Sequence, residues 1–173
     1  QRNYGGLSSV GDALSLIKKA KLVPEEMIDE SSSIVDNDMG LTHHIFNAFG
    51  GGVVLWNDYE GGSVEDCKTE GSLCNYFDIV FFRLPPEACI ELATQDWRSS
   101  AMGLTSMYVL NYEFLDVSGY AMDCLTSSTG GKFDDGIHAC PNGTTVPIPV
   151  PLDIAVNACN CPNNDCTIEW GFK

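Results

Sequence analysis

The chain has 173 residues, 44% of them hydrophobic, with aromatic residues spread along its length, which suits one sizeable core and excludes a disordered tail. Nine Lys and Arg against 24 Asp and Glu give a formal net charge of −15, which excludes nucleic acid and anionic lipid as partners and favours cations or basic surfaces; solubility alone accounts for the charge equally well. Eight cysteines are too many for a reducing cytosol unless they bind metal, and without a run of about 18 apolar residues the chain as it stands spans no membrane and opens on no signal peptide.

The first predicted element is a helix starting at Ser8 or Ser9, where Asp12 completes a capping-box pattern. Val10, Ala13, Leu14, Ile17 and Ala20 recur at helical spacing and Pro24 ends the run, so Val10, Leu14 and Ile17 are expected to pack on the core. Lys18, Lys19 and Lys21 complement the helix dipole rather than make a basic site. A polar stretch with Ser31, Ser32, Ser33, Asp36 and Asp38 follows. Gly50-Gly51-Gly52 then reads as a loop feeding a short buried strand, Val53 to Trp56.

Asn75 to Leu84 alternates Phe77, Ile79 and Phe81 with Tyr76, Asp78, Val80 and Phe82, predicting a strand with one face more deeply buried. Pro85-Pro86 stops it and opens a helix over Glu87 to Trp97, burying Cys89, Ile90, Ala93 and Trp97. Met107 to Leu115 is a third strand, with Tyr108, Leu110, Tyr112 and Phe114 on one face. Pro147, Pro149 and Pro151 interleave with apolar residues and force an extended segment suited to a sheet edge or surface strap, never to a central strand. Leu152 to Ala158 suits a short helix, and Ile168, Trp170 and Phe172 alternate in a last strand whose Ile168 and Trp170 are core candidates. Helices that do not alternate strictly with strands predict an α+β domain over residues 1–173, an antiparallel sheet carrying helices on one face.

The residues that carry chemistry elsewhere are poorly arranged here. Six residues separate Cys67 from Cys74 and fifteen separate Cys124 from Cys140, while Cys159, Cys161 and Cys166 cluster without a histidine; none of this is zinc spacing, and disulfides fit better. His43 and His44 are adjacent, a poor chelate on either a helix or a strand. Asp36-Asn37-Asp38 resembles the opening of a calcium loop, but loop positions six and twelve hold Leu41 and Asn47 where glycine and glutamate are needed. A looser cation site there or at Asp134-Asp135 stays open. No serine sits in a Gly-x-Ser-x-Gly elbow that His138 might serve, and the triple glycine lacks the Lys-Ser/Thr ending of a phosphate loop. No catalytic residue, resident metal or cofactor is expected, and the chain is not expected to be an enzyme.

Four segments together resemble the PilS-like type IVb pilins of Gram-negative bacteria. They are Lys19-Ala20-Lys21-Leu22-Val23-Pro24 running to Met27-Ile28; Asn47-Ala48-Phe49-Gly50-Gly51; Leu84-Pro85-Pro86-Glu87-Ala88-Cys89 through Ala93 with Trp97; and Leu152-Asp153-Ile154-Ala155 with Ala158-Cys159, then Thr167 to Phe172. The third is the most specific, similar to the family's Leu-Pro-x-x-Ala-Cys helix. The resemblance implies an α/β-roll, a sheet packed on an N-terminal helix, with Cys89 bridged to a cysteine near the C-terminus. From it we expect Cys89 to pair with Cys159, and local bridges Cys67 to Cys74, Cys124 to Cys140 and Cys161 to Cys166.

The function implied by the resemblance is structural: a pilus subunit, major or minor, acting in adhesion, aggregation, colonisation or conjugative contact. Its partners would be other pilin subunits and a host or bacterial surface receptor. Its place would be a surface pilus, reached from an inner-membrane anchored form. A pseudopilin or pilus-associated component of a secretion system is the alternative, and a secreted disulfide-rich enzyme or inhibitor a more distant one. The family opens on an apolar helix with an early glutamate, whereas this chain opens at Gln1-Arg2-Asn3-Tyr4. The sequence in hand is therefore expected to be a head without its filament-core segment, monomeric by itself.

Overall fold

A computed structural model describes residues 2–7, 33–36, 41–49, 51–57, 77–97, 103–111, 124 and 129–172. The predicted helix with Val10, Leu14 and Ile17, the pair Cys67 and Cys74, and the predicted strand positions Tyr112 and Phe114 lie outside the described residues. Along the chain run strands β1 (Arg2–Leu7), β2 (Ser33–Asp36), β3 (Leu41–Asn47), β4 (Val53–Asn57) and β5 (Phe77–Leu84), and then helix α1 (Pro86–Thr94). After it come β6 (Leu104–Leu110), β7 (Gly131–Phe133), β8 (Gly136–Ala139), helix α2 (Leu152–Ala158), a single 3-10 turn (Pro162–Asn164) and β9 (Cys166–Phe172).

Six strands form one sheet in the order β4-β5-β9-β6-β8-β7, every neighbouring pair antiparallel. The fold is therefore α+β, with a largely antiparallel architecture. The last strand, β9, lies in the middle between β5 and β6, and all of its residues are buried. Its register places Trp170 between Ile79 and Met107 and Ile168 between Phe81 and Val109. Because side chains alternate along a strand, these residues line one face. There they share a core with Cys89, Leu92, Ala93 and Trp97 from α1 and its end and with Ala155 and Ala158 from α2.

Trp170 is the centre of that core, fully buried and met edge-on by Phe81 at 5.1 Å and by Trp97 at 5.5 Å. Edge-to-face geometry sets the positive rim of one ring against the negative face of another. Trp97 reaches this position in a way helical periodicity does not describe. The helix ends at Thr94, whose hydroxyl donates back to the Ile90 and Glu91 carbonyls at 2.8 and 3.2 Å. The chain then turns extended at Gln95, and Trp97 folds back so that its indole N–H donates to the Leu92 carbonyl at 2.8 Å.

The expectation that β5 buries one face more deeply than the other is corrected by the structure. Asp78, Ile79, Val80, Phe81 and Phe82 are all buried, as are Ser106, Tyr108, Thr167 and Glu169 on the neighbouring strands. Both faces are therefore buried at β5 and β9, and Thr167 and Glu169 are polar residues in a strand with no exposed position. A second difference is the small sheet β1-β3-β2, where β1 runs parallel and β2 antiparallel to β3. It places His43 and His44 at adjacent positions of β3, in register with Arg2 and Asn3, and Asp36 at the end of β2, where it pairs with Leu41. The proline-rich segment is a strap: Val146, Ile148 and Val150 are buried, with one isolated bridge from Pro147 to Cys140. Among the described residues no helix is long and apolar enough to cross a membrane.

Candidate functional site

The turn from β3 into β4 is held by one side chain. Buried Asn47 donates from Nδ2 to the Phe82 carbonyl at 2.7 Å, and its Oδ1 accepts the backbone N–H groups of Phe49 at 3.0 Å and Gly51 at 3.1 Å. Asparagine alone among short side chains offers both roles in one planar group. The Gly51 backbone packs so closely on Phe82 that a Cβ there would strike the Phe82 carbonyl and crowd the Asn47 amide. Phe82 precedes Arg83, which has φ 54 and sits in the register shift of β5 between Phe81 and Leu84. Asn47 and Gly51 therefore join the turn to an irregular point of the main sheet, a role signalled in advance only by the resemblance of the Asn47 to Gly51 segment.

Two helices carry the long covalent tie. Pro85 and Pro86 open α1, where the missing N–H of a proline has no partner to lose, and the Cys89 N–H returns to the Pro85 carbonyl at 3.0 Å. Ala88, Cys89, Leu92 and Ala93 form its buried side. On α2 the buried residues are Ala155 and Ala158, small enough to let the two helices approach. Cys159 follows as the C-cap, donating its N–H to the Ala155 carbonyl at 2.9 Å. Cys89 and Cys159 are bonded, with Cα atoms 5.8 Å apart and 70 residues of separation. The strap runs onto the same place, with the Val150 N–H donating to the Ala93 carbonyl at 3.3 Å.

Of the large apolar residues exposed among the described residues, Phe49 lies before Cys89 and the other three lie between those two cysteines. Leu152 and Val156, one helical turn apart on α2, are 64% and 48% exposed, and Phe133 in β7 is 43% exposed. A shallow cleft separates α2 from the β7–β8 turn, lined by Lys132, Phe133, Asp134, Ile154, Asn157 and Ala158 among others. Asp134, Asp135 and Asp153 are exposed around it. The lining sets the apolar Phe133, Ile137, Ile154 and Ala158 beside Lys132, Asp134 and Asn157, under an acidic rim.

The other four described cysteines form two local bonds. Cys161 and Cys166 close the 3-10 turn, with Cα atoms 5.4 Å apart; Asn163 and Asn164 take left-handed backbone there, with φ 59 and 57, which asparagine tolerates better than most residues. Cys124 and Cys140 are bonded with Cα atoms 5.7 Å apart. Beside this bond stands His138, its Nε2 2.9 Å from Cys124 Sγ and 3.5 Å from Cys140 Sγ. Sequence reasoning treated His138 only as a failed triad member. The available signal was His138-x-Cys140, a spacing that puts both residues on one face of a strand. His138, Cys124 and Cys140 form one group of soft metal donors, and Cys89, Cys161 and Cys166 another; in both, the cysteines are engaged in disulfides.

With this geometry in place, comparison with known proteins adds a single finding. No family model and no curated protein matches the chain. Among solved structures, a type IVb pilin from Salmonella typhi aligns with 98% of this chain and 82% of its own length, at 18% identity and a TM-score of 0.42.

Proposed function

We propose that this chain is the globular head of a pilin-like filament subunit of the type IVb kind. The observation that carries the reading is the tie from Cys89, in the helix opened by Leu84-Pro85-Pro86, to Cys159 directly after the last helix. It bounds a region whose exposed apolar residues, Leu152, Val156 and Phe133, suit burial between neighbouring heads in a filament. The order of the four sequence segments that resemble PilS-like pilins supports the same reading. On it the partners are other subunits of the same kind, the location is a surface pilus of a Gram-negative cell, and the role is contact: adhesion, aggregation, colonisation or mating.

The test uses cells that produce the full-length protein. Filaments sheared from the surface should contain this chain by mass spectrometry and take up antibody along their length. The gene should encode an apolar helix preceded by a glycine-terminated leader upstream of Gln1. Recovery of the chain from the envelope but never from sheared filaments would move the reading to a pseudopilin. Release as a free protein from a gene lacking that helix would overturn both.

A further inference from the structure

The disulfides differ in their surroundings. Cys89 and Cys159 are sealed in the core at 0% and 1% exposure, and Cys161 and Cys166 are buried at 8% and 0%. Cys124 alone among the described cysteines is half-buried, while its partner Cys140 is 2% exposed. Cys124 is therefore the more accessible residue of this bond to an attacking thiolate.

Cys124–Cys140 is also the bond with a histidine against it. A disulfide sulfur carries no hydrogen, so a hydrogen bond between His138 Nε2 and Cys124 Sγ, 2.9 Å apart, requires Nε2 to be the protonated donor. Tyr108 stacks on the imidazole at 4.5 Å with the planes 14° apart, holding the ring in that orientation. The same Nε2 is 3.5 Å from Cys140 Sγ, within reach of either sulfur as the bond opens.

We propose that Cys124–Cys140 is a thiol–disulfide exchange site whose substrate is a dithiol, with His138 as the acid that serves the departing sulfur. One thiolate of the dithiol attacks Cys124 Sγ; a new S–S bond forms as the Cys124–Cys140 bond breaks, and Cys140 leaves as a thiolate that takes the Nε2 proton of His138 in its imidazolium form, leaving a neutral imidazole with its proton on Nδ1. The second thiol of the dithiol then gives up its proton and displaces Cys124, leaving an oxidised cyclic disulfide and two reduced cysteines in this chain. Exchange depends on access and on how easily the leaving sulfur departs, and this site supplies both from residues already in place.

The experiment is a timed reduction of the oxidised protein with limiting dithiothreitol, quenched by alkylation and mapped by peptide mass spectrometry. Cys124 and Cys140 should be labelled first, ahead of Cys161, Cys166, Cys89 and Cys159. In His138→Gln, which keeps an N–H donor but has no proton to give, opening of Cys124–Cys140 should slow about a hundredfold, the low end of what a positioned general acid contributes, while opening of Cys161–Cys166 keeps its wild-type rate. Labelling of Cys161 or Cys166 first, or an unchanged Cys124–Cys140 rate in the variant, overturns the proposal. Should His138→Gln misfold, the wild-type order of labelling decides.

Discussion

Removing the long disulfide gives the sharpest prediction. The bond joins residues 70 apart, and in the loop-entropy treatment a closed loop of that size restrains the unfolded chain by about 4 kcal/mol. Cys89 is at 0% exposure and Cys159 at 1%, so either substitution by alanine also adds a small cavity. Each single substitution already breaks the bond. The double substitution should therefore cost little more than either single one, a coupling of about 4 kcal/mol between two residues in contact. Urea unfolding of the oxidised protein and its three variants, monitored by tryptophan fluorescence, measures this cycle. Additive costs, or a single variant that loses less than about 1 kcal/mol, would refute the reasoning. So would a peptide map joining Cys89 to any other cysteine.

Three further outcomes follow from the packing. Asn47→Ala strands the Phe82 carbonyl and the Phe49 and Gly51 N–H groups and should cost about 2–3 kcal/mol in thermal unfolding; Gly51→Ala, whose methyl meets backbone that cannot yield, should cost about 2 kcal/mol or more. Trp170 Nε1 has no hydrogen-bond partner among the described residues, so Trp170→Phe should cost about 1–2 kcal/mol where Trp170→Ala costs about 4, and equal costs would show that the ring contacts carry no weight. On the filament reading, heads of net charge −15 repel one another, so bundling followed by light scattering should strengthen as added salt or divalent cation shortens the Debye length below about 10 Å; bundling that weakens steadily with salt would count against it.

Local signals made part of this fold legible. Helix α2 occupies Leu152–Ala158 as its sequence predicts, because Pro151 fixes the entry and the strap before it cannot be helical. The short strand after the triple glycine and the alternation through Ile168, Trp170 and Phe172 were equally readable. What escaped depends on distant partners. Arg2-Asn3-Tyr4-Gly5-Gly6-Leu7 has no apolar alternation and becomes β1 by pairing with β3, some forty residues later in the chain. Trp97 was assigned to a helix face, and the turn at Gln95 that delivers it to Trp170 has no periodic signature. Burial of both sheet faces was hidden for the same reason: Asp78 falls on the strand face expected to be less deeply buried, and only the assembled sheet buries it together with Glu169. At the candidate surface, sequence pointed to the cysteines, while the histidine beside one of them became visible only when β8 paired with β6 and brought Tyr108 against His138.

The same bond type thus meets two different environments, and their energies separate their roles. Opening Cys124–Cys140, with a separation of 16 residues, returns about 3 kcal/mol of chain entropy to the unfolded state, and Cys161–Cys166, with a separation of 5, about 2. A domain stable by about 5–15 kcal/mol survives the loss of either while the longer tie holds. Cys89–Cys159 is the costliest of the three to lose, and it is closed off beneath α1, α2 and the strap, where a reductant arrives only after the helices part. Exchange at Cys124 is therefore compatible with a folded domain. The order in which the bonds open should follow burial, with the half-buried sulfur first and the sealed pair last, and unfolding should track the last event rather than the first.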